Sequence, residues 1–182
     1  MKALILVMGM IGTGKTSLAQ RLAREMDMAL ISSDPLRKEL AGVDPFQRVK
    51  EDFHRGLYSP QMTEKVYSTM MERAKEHLEK GKGVILDATF ARKEWRDMAQ
   101  TVAREKGVPC LIVVTTAPEE VIRERLEKRQ KEKVVSDGRW DIYLKHREKF
   151  QMPRDEGPLL VLDTREDLDS LVKKVKEVLN GL

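Results

Sequence analysis

The sequence predicts an α/β fold, a parallel five-stranded sheet with helices on both faces, and three observations support it. Short apolar runs recur five times, each is followed by a segment of helical periodicity, and glycine-rich or acidic residues stand directly after several of the runs. Strands that alternate with helices form a parallel sheet whose ligands bind at the carboxyl ends of the strands.

The first run, Ala3 to Met8, leads into Gly9-Met10-Ile11-Gly12-Thr13-Gly14-Lys15-Thr16. A helix starting at Gly14 or Lys15 then places Leu18, Leu22 and Met26 on one face. The second run, Ala29 to Ser32, ends in Ser33-Asp34. Further on, Ser59 and Pro60 supply an N-cap and a first-turn proline for a long helix ending near Gly81. The third run, Gly83 to Leu86, ends in Asp87, and a helix is expected over Ala91 to Lys106. Cys110 to Thr115 is the fourth strand, followed by helices over Pro118 to Lys131 and Arg139 to Gln151. Leu159 to Leu162 is the fifth, before a helix over Asp167 to Asn180. With 182 residues, no repeat and no low-complexity linker, a single domain over 1–182 is expected.

Composition excludes several classes. Hydrophobic residues at 41% and charged residues at 35% describe a globular chain with a heavily charged surface. The one cysteine, Cys110, lies in an apolar run, so an internal disulfide is impossible and a buried thiol in a reducing compartment is expected. No run approaches membrane-spanning length and no signal peptide precedes the first strand, so a cytoplasmic enzyme is expected, without a membrane partner. His54, His77 and His146 have no metal-ligand spacing, which argues against zinc. The ten methionines, Met70 and Met71 among them, read as packing.

Gly9 to Thr16 is a complete GxxxxGK[ST] phosphate-binding loop between a strand and a helix. A triphosphate needs several backbone N–H donors aimed at one point, and Gly9, Gly12 and Gly14 clear the Cβ atoms that would prevent this. The helix start adds unpaired N–H groups and the positive end of its dipole, bringing Thr13 and Ser17 into the nucleotide-binding set. Lys15 would reach the β and γ phosphates of ATP, and the Thr16 hydroxyl would complete a Mg²⁺ shell.

Asp34 and Asp87 stand at the carboxyl ends of the second and third strands. Phosphoryl transfer needs charge neutralisation and a carboxylate to orient or deprotonate the attacking hydroxyl, so these two are candidates for base and metal-shell ligand. The plainer alternative is that each caps the helix that follows it.

The loop, Ser32-Ser33-Asp34-Pro35-Leu36-Arg37, Gly56-Leu57-Tyr58-Ser59, Val84 to Phe90 and Ser136-Asp137 together resemble a known group over nearly the whole chain. It is the adenylate-kinase-like branch of P-loop kinases, with polynucleotide 5′-hydroxyl kinases, zeta toxins, chloramphenicol phosphotransferases and gluconate kinases. Within it the chain is similar to the predicted kinases of the AAA_33 type. The resemblance implies a three-layer P-loop NTPase fold with strand order 2-3-1-4-5 and a small helical lid. It also implies that Asp34 activates the acceptor hydroxyl and Arg37 holds the acceptor. Asp87 would lie nearer the loop, on a metal water or the acceptor, with Thr89 and Tyr58 completing the acceptor side. Polynucleotide kinases usually continue Asp-x-Thr with Asn, whereas Phe90 stands here, which weakens transfer of their specificity.

Val121 to Arg154 holds 11 Lys/Arg against 6 Asp/Glu. Within it Arg125 and Arg129 lie four apart on one helical face, a repulsive spacing that an anion between them would relieve, and Lys133 would extend the column. Glu124 with Lys128 and Glu127 with Lys131 follow a favourable order and leave the arginines unmatched; Glu132 would compensate Arg129 in part. The resemblance makes Arg125 and Arg129 lid arginines for the transferring phosphoryl group, with the lid over about Arg125 to Arg139.

The acceptor side is expected over about 34–67, where Phe46, Arg48, Phe53, His54, Arg55, Tyr58 and Tyr67 concentrate. Phe53 and Tyr67 read as core anchors, while Arg92 and Arg96 either touch the acceptor or form surface ion pairs. Three functions compete: a Mg²⁺- and ATP-dependent kinase acting on an alcohol group, a nucleotide switch or ATPase without an acceptor, and a nucleic-acid-binding protein that uses ATP as a conformational ligand. The kinase is favoured, with a small-molecule hydroxyl as acceptor and a polynucleotide 5′-hydroxyl as the alternative.

Overall fold

The computed structural model describes residues 1–43, 56–133 and 138–182. Five strands, β1 (Leu4–Met8), β2 (Ala29–Ser32), β3 (Val84–Asp87), β4 (Cys110–Thr116) and β5 (Leu159–Asp163), form one all-parallel sheet in the order β2-β3-β1-β4-β5. This is the expected fold class and strand order. Every residue of β1 and β3 is buried, as strands covered on both faces must be. At the β5 edge, by contrast, Leu159 and Val161 are exposed.

Side chains alternate across the sheet and feed two cores. Leu4, Leu6 and Met8 pack with α3 (Pro60–Glu79) and α4 (Lys93–Lys106), whereas Ile5 and Val7 pack with α1 (Lys15–Glu25) and α7 (Leu168–Asn180). Leu18 and Leu22 of α1 are fully buried, each contributing about 1.5–3 kcal/mol relative to exposure. Cys110 is buried at the start of β4, and its apolar surroundings push the thiol up to about 12. No helix among the described residues is long and apolar enough to cross a membrane.

Two boundaries differ from expectation for local reasons. An additional short helix, α2 (Ser33–Leu40), follows β2 directly and buries Leu36 and Arg37. Helix α4 begins at Lys93 rather than Ala91, because Phe90 sits at φ 46° and Arg92 is extended as the N-cap. A third, small cluster joins α5 (Glu119–Lys133) to α6 (Gly138–Lys149) through Ile122, Leu126 and Tyr143, with Met10 and Ile11 of the phosphate loop packed against it. Phe46, Arg48, Phe53, His54 and Arg55 lie outside the described residues. So do Val134 to Asp137 of the expected lid and the side chains of Glu132 and Lys133.

Candidate active site

The phosphate loop turns from β1 into α1 with Gly14, in the left-handed region, as the N-cap. Its glycines answer to neighbouring protein as well as to any anion. A Cβ on Gly9 would stand 2.6 Å from the Thr115 carbonyl oxygen, and one on Gly12 would stand 3.0 Å from Ile122 and 3.2 Å from Leu126. The loop is therefore clamped between β4 and α5. Thr13 is buried, its hydroxyl donating to the Met10 carbonyl (2.6 Å) and lying 2.8 Å from the Thr115 hydroxyl, so it braces the loop from within. Thr115 went unnoticed in the sequence; a polar residue near the end of an otherwise apolar strand was its only signal.

Lys15 donates to the Met10 carbonyl at 3.0 Å. Burial lowers its pKa below the ordinary lysine range, Asp87 and Asp34 oppose that, and Arg129 adds to the lowering. Thr16 and Ser17 are exposed at the helix start. The Thr16 hydroxyl donates to Asp87 Oδ2 at 2.9 Å, and the Ser32 hydroxyl donates to the same oxygen at 3.0 Å. Asp87 is only 4% exposed, and its pKa is raised by that burial against the opposing effects of Lys15 and the two hydroxyls, while Asp34 raises it further. Asp34 lies exposed in the first turn of α2.

The oxygen donors fit magnesium. A threonine hydroxyl that donates its hydrogen bond to a buried carboxylate keeps its lone pairs free for the metal. No cluster of three His, Cys, Asp or Glu side chains forms a protein cage among the described residues, and magnesium is commonly held by one or two carboxylates together with substrate phosphates.

On the acceptor side, Arg37 is buried rather than open to a ligand. Its Nη1 donates to the Leu57 carbonyl (2.9 Å) and the Thr63 hydroxyl (3.0 Å), its guanidinium lies 4.8 Å from the Tyr58 ring centre, and Nε has no hydrogen-bond partner among the described residues. Tyr58 covers it from the exposed side. Thr89 is half-buried, 3.5 Å from the Tyr67 hydroxyl. Tyr67 is a core residue, stacked on Trp95 and edge-on to Phe90, and its hydroxyl accepts the Phe90 N–H at 3.0 Å.

Arg96 is corrected outright. It neither reaches the surface nor stands free for an acceptor: fully buried, it donates to both Glu156 carboxylate oxygens (2.8 and 3.0 Å) and to the Phe90 and Gln151 carbonyls. Arg92 forms a surface pair with Glu94 at 2.9 Å.

The unmatched arginine column is also corrected at one member. Arg125 donates to the Gly12 carbonyl (3.2 Å), the Thr164 hydroxyl (2.8 Å) and the Thr164 carbonyl (3.1 Å), tying α5 to the phosphate loop and to the turn after β5. Arg129 is exposed one turn further on. Glu127 pairs with Arg123 at 3.0 Å rather than with Lys131.

A sheet of order β2-β3-β1-β4-β5 with a phosphate loop after β1 and a carboxylate at the end of β3 defines a P-loop kinase fold. The chain belongs to the AAA_33 family, described as an AAA domain, whose profile matches residues 4–150. A curated relative, the uncharacterized protein Rv2004c of Mycobacterium tuberculosis, is 29% identical over 126 residues, 69% of this chain and 25% of its own length. The chain thus spans about a quarter of the curated relatives it matches. Among solved structures, a protein of Chloroflexus aurantiacus described as a kinase superposes with TM-score 0.75 at 22% identity, covering 99% of this chain and 97% of the other. A gluconokinase from Sinorhizobium meliloti gives 0.64 at 19% identity, covering 99% and 90%. The APS kinase CysC of M. tuberculosis, in complex with AMPPNP and APS, gives 0.68 at 18%, covering 98% of each.

Proposed function

We propose that this protein is an ATP-dependent kinase that transfers the γ-phosphoryl group of Mg-ATP to a hydroxyl of a small-molecule acceptor. The observation that carries the reading is that β2 and β3 end side by side, Ser32 paired with Asp87 and Asp34 two residues further on, with Asp87 bonded to the phosphate loop's Thr16. Asp87 is hydrogen-bonded to Thr16, and the charges of Asp34 and Asp87 both act on Lys15. A loop that only bound nucleotide would need one acid for the metal; the second, exposed on α2, is then left for an acceptor hydroxyl. The gluconokinase and APS kinase likenesses support a small molecule over a polynucleotide.

In this reading the backbone of Gly9 to Ser17 and the Lys15 ammonium hold the phosphates. Thr16 and Asp87 would hold magnesium, which supplies neutralisation of phosphate charge. Asp34 accepts the proton of the acceptor hydroxyl as its oxygen bonds to the γ-phosphorus and the bond to the β–γ bridging oxygen breaks, releasing ADP. Arg129 meets the phosphoryl group, while Arg125 braces the loop from α5. Thr89 and Tyr58 face the acceptor, and Arg37 supports Tyr58 from beneath. The lid over about 125–139 excludes water, which limits hydrolysis.

The test is radiolabel transfer from ATP with Mg²⁺ to a panel of gluconate, other sugars, nucleosides, chloramphenicol and 5′-hydroxyl oligonucleotides. Label on a small molecule supports the reading, label on the oligonucleotide replaces the acceptor class, and hydrolysis with no transfer to any of them defeats it. Asp34→Asn should abolish transfer while leaving ATP affinity within about threefold, since no Asp34 contact to the phosphate loop is needed for binding.

A further inference from the structure

We propose that Ser32 is a positioning residue for the magnesium carboxylate, fixing Asp87 from the β2 side as Thr16 fixes it from the α1 side. The proposal rests on the kinase reading above. Parallel register pairs Ser32 with Asp87 across β2 and β3, so both side chains leave the sheet on the same face. A slip of one residue would bring Ile31 there instead.

The second observation is what Ser32 does not do. It occupies the N-cap of α2, where a serine hydroxyl ordinarily accepts an N–H from the first turn, yet its side chain makes no capping bond. Its hydroxyl turns across the sheet and donates to Asp87 Oδ2 at 3.0 Å. Two hydroxyls therefore share one carboxylate oxygen, and Oδ1 accepts no hydrogen bond among the described residues. Locking a ligating carboxylate by a neighbour's hydrogen bond is how an outer contact tunes metal affinity. Asp34 lies two residues beyond Ser32, in the first turn of α2, so this bond also sets the base-bearing helix against the metal carboxylate.

The test titrates Mg²⁺ into each variant with mant-labelled AMPPNP and follows its fluorescence, which needs no acceptor and no turnover. Wild type should bind the analogue more tightly as Mg²⁺ rises. Ser32→Ala should raise the Mg²⁺ concentration for half-maximal effect about tenfold while leaving Mg²⁺-free affinity within about twofold. Ser32→Thr, which keeps the hydroxyl, should restore the wild-type curve. Ser32→Gly, which an N-cap tolerates nearly as well as serine, should behave as Ser32→Ala and guards against failure of that variant to fold. Superimposable Mg²⁺ curves for wild type and Ser32→Ala would overturn the proposal. So would an equal loss of affinity with and without Mg²⁺ accompanied by a lower Tm, since that is the signature of a purely structural serine. A wild type that fails to bind the analogue at all would instead bring down the kinase reading on which the proposal stands.

Discussion

Arg96 and Glu156 make a buried ion pair, with side chains 1% and 6% exposed, and the arginine also donates to the Phe90 carbonyl in the turn behind Thr89 and to the Gln151 carbonyl. That turn holds Phe90 at φ 46°, a conformation that stores about 1–3 kcal/mol in a non-glycine residue and persists only when its surroundings over-determine it. The Tyr67 hydroxyl on the Phe90 N–H and Arg96 on its carbonyl provide that constraint. Removing one partner leaves a buried charge uncompensated, so Arg96→Met should lower stability by about 3–5 kcal/mol, measured by urea unfolding at neutral pH. Arg96 holds the Glu156 carboxyl below its ordinary value of 4.5, so the pair's contribution is present above that pH and lost as pH falls beneath it. The wild-type advantage over Arg96→Met should accordingly shrink in acid. The sequence could not reveal this pair, because its members stand sixty positions apart and the arginine's spacing from Asp87 suited an acceptor contact equally well.

Helix α3 shows the opposite case. Ser59 and Pro60 announced its start, and the Ser59 hydroxyl does accept the Met62 N–H at 3.2 Å. Ser59→Ala should therefore destabilise by about 1 kcal/mol, a shift in the midpoint of urea unfolding with no change in slope. Helix α2 was missed because Pro35 and the short run to Leu40 give few turns of periodicity, and because Ser32 does not use the cap its position offers. Helix α5 has almost no apolar stripe in sequence, yet Ile122 and Leu126 bury against the phosphate loop. Gly12→Ala would push a methyl into both at φ 78°, where an L-residue is already strained. It should weaken binding of mant-labelled AMPPNP by more than about tenfold, since the displaced loop no longer aims its N–H groups at one point.

Strand positions were readable from apolar runs, but strand order was not: periodicity says which residues are buried and nothing about which strand lies beside which. The order came from the likeness to P-loop kinases, and it sets the ends of β2 and β3, which carry Asp34 and Asp87, beside the phosphate loop. That gathering has a thermodynamic signature for the molecule as a whole. Burial lowers the Lys15 pKa, so without nucleotide the charged lysine opposes folding at neutral pH, an effect that fades as pH rises through the lowered value and is gone above the ordinary 10.5. Lys15→Met should therefore make the unliganded protein more stable by about 1 kcal/mol, as removing a functional group from a site built for a ligand often does. The same change deletes the phosphate partner, so the ligand-linked gain should vanish. Wild type at 100 times its dissociation constant of Mg-AMPPNP should gain about 2.7 kcal/mol, and Lys15→Met should gain almost none. Thermal unfolding of both proteins with and without Mg-AMPPNP reads all four states. A Lys15→Met protein less stable than wild type when empty would show that the Lys15 bond to the Met10 carbonyl outweighs the desolvation of its charge.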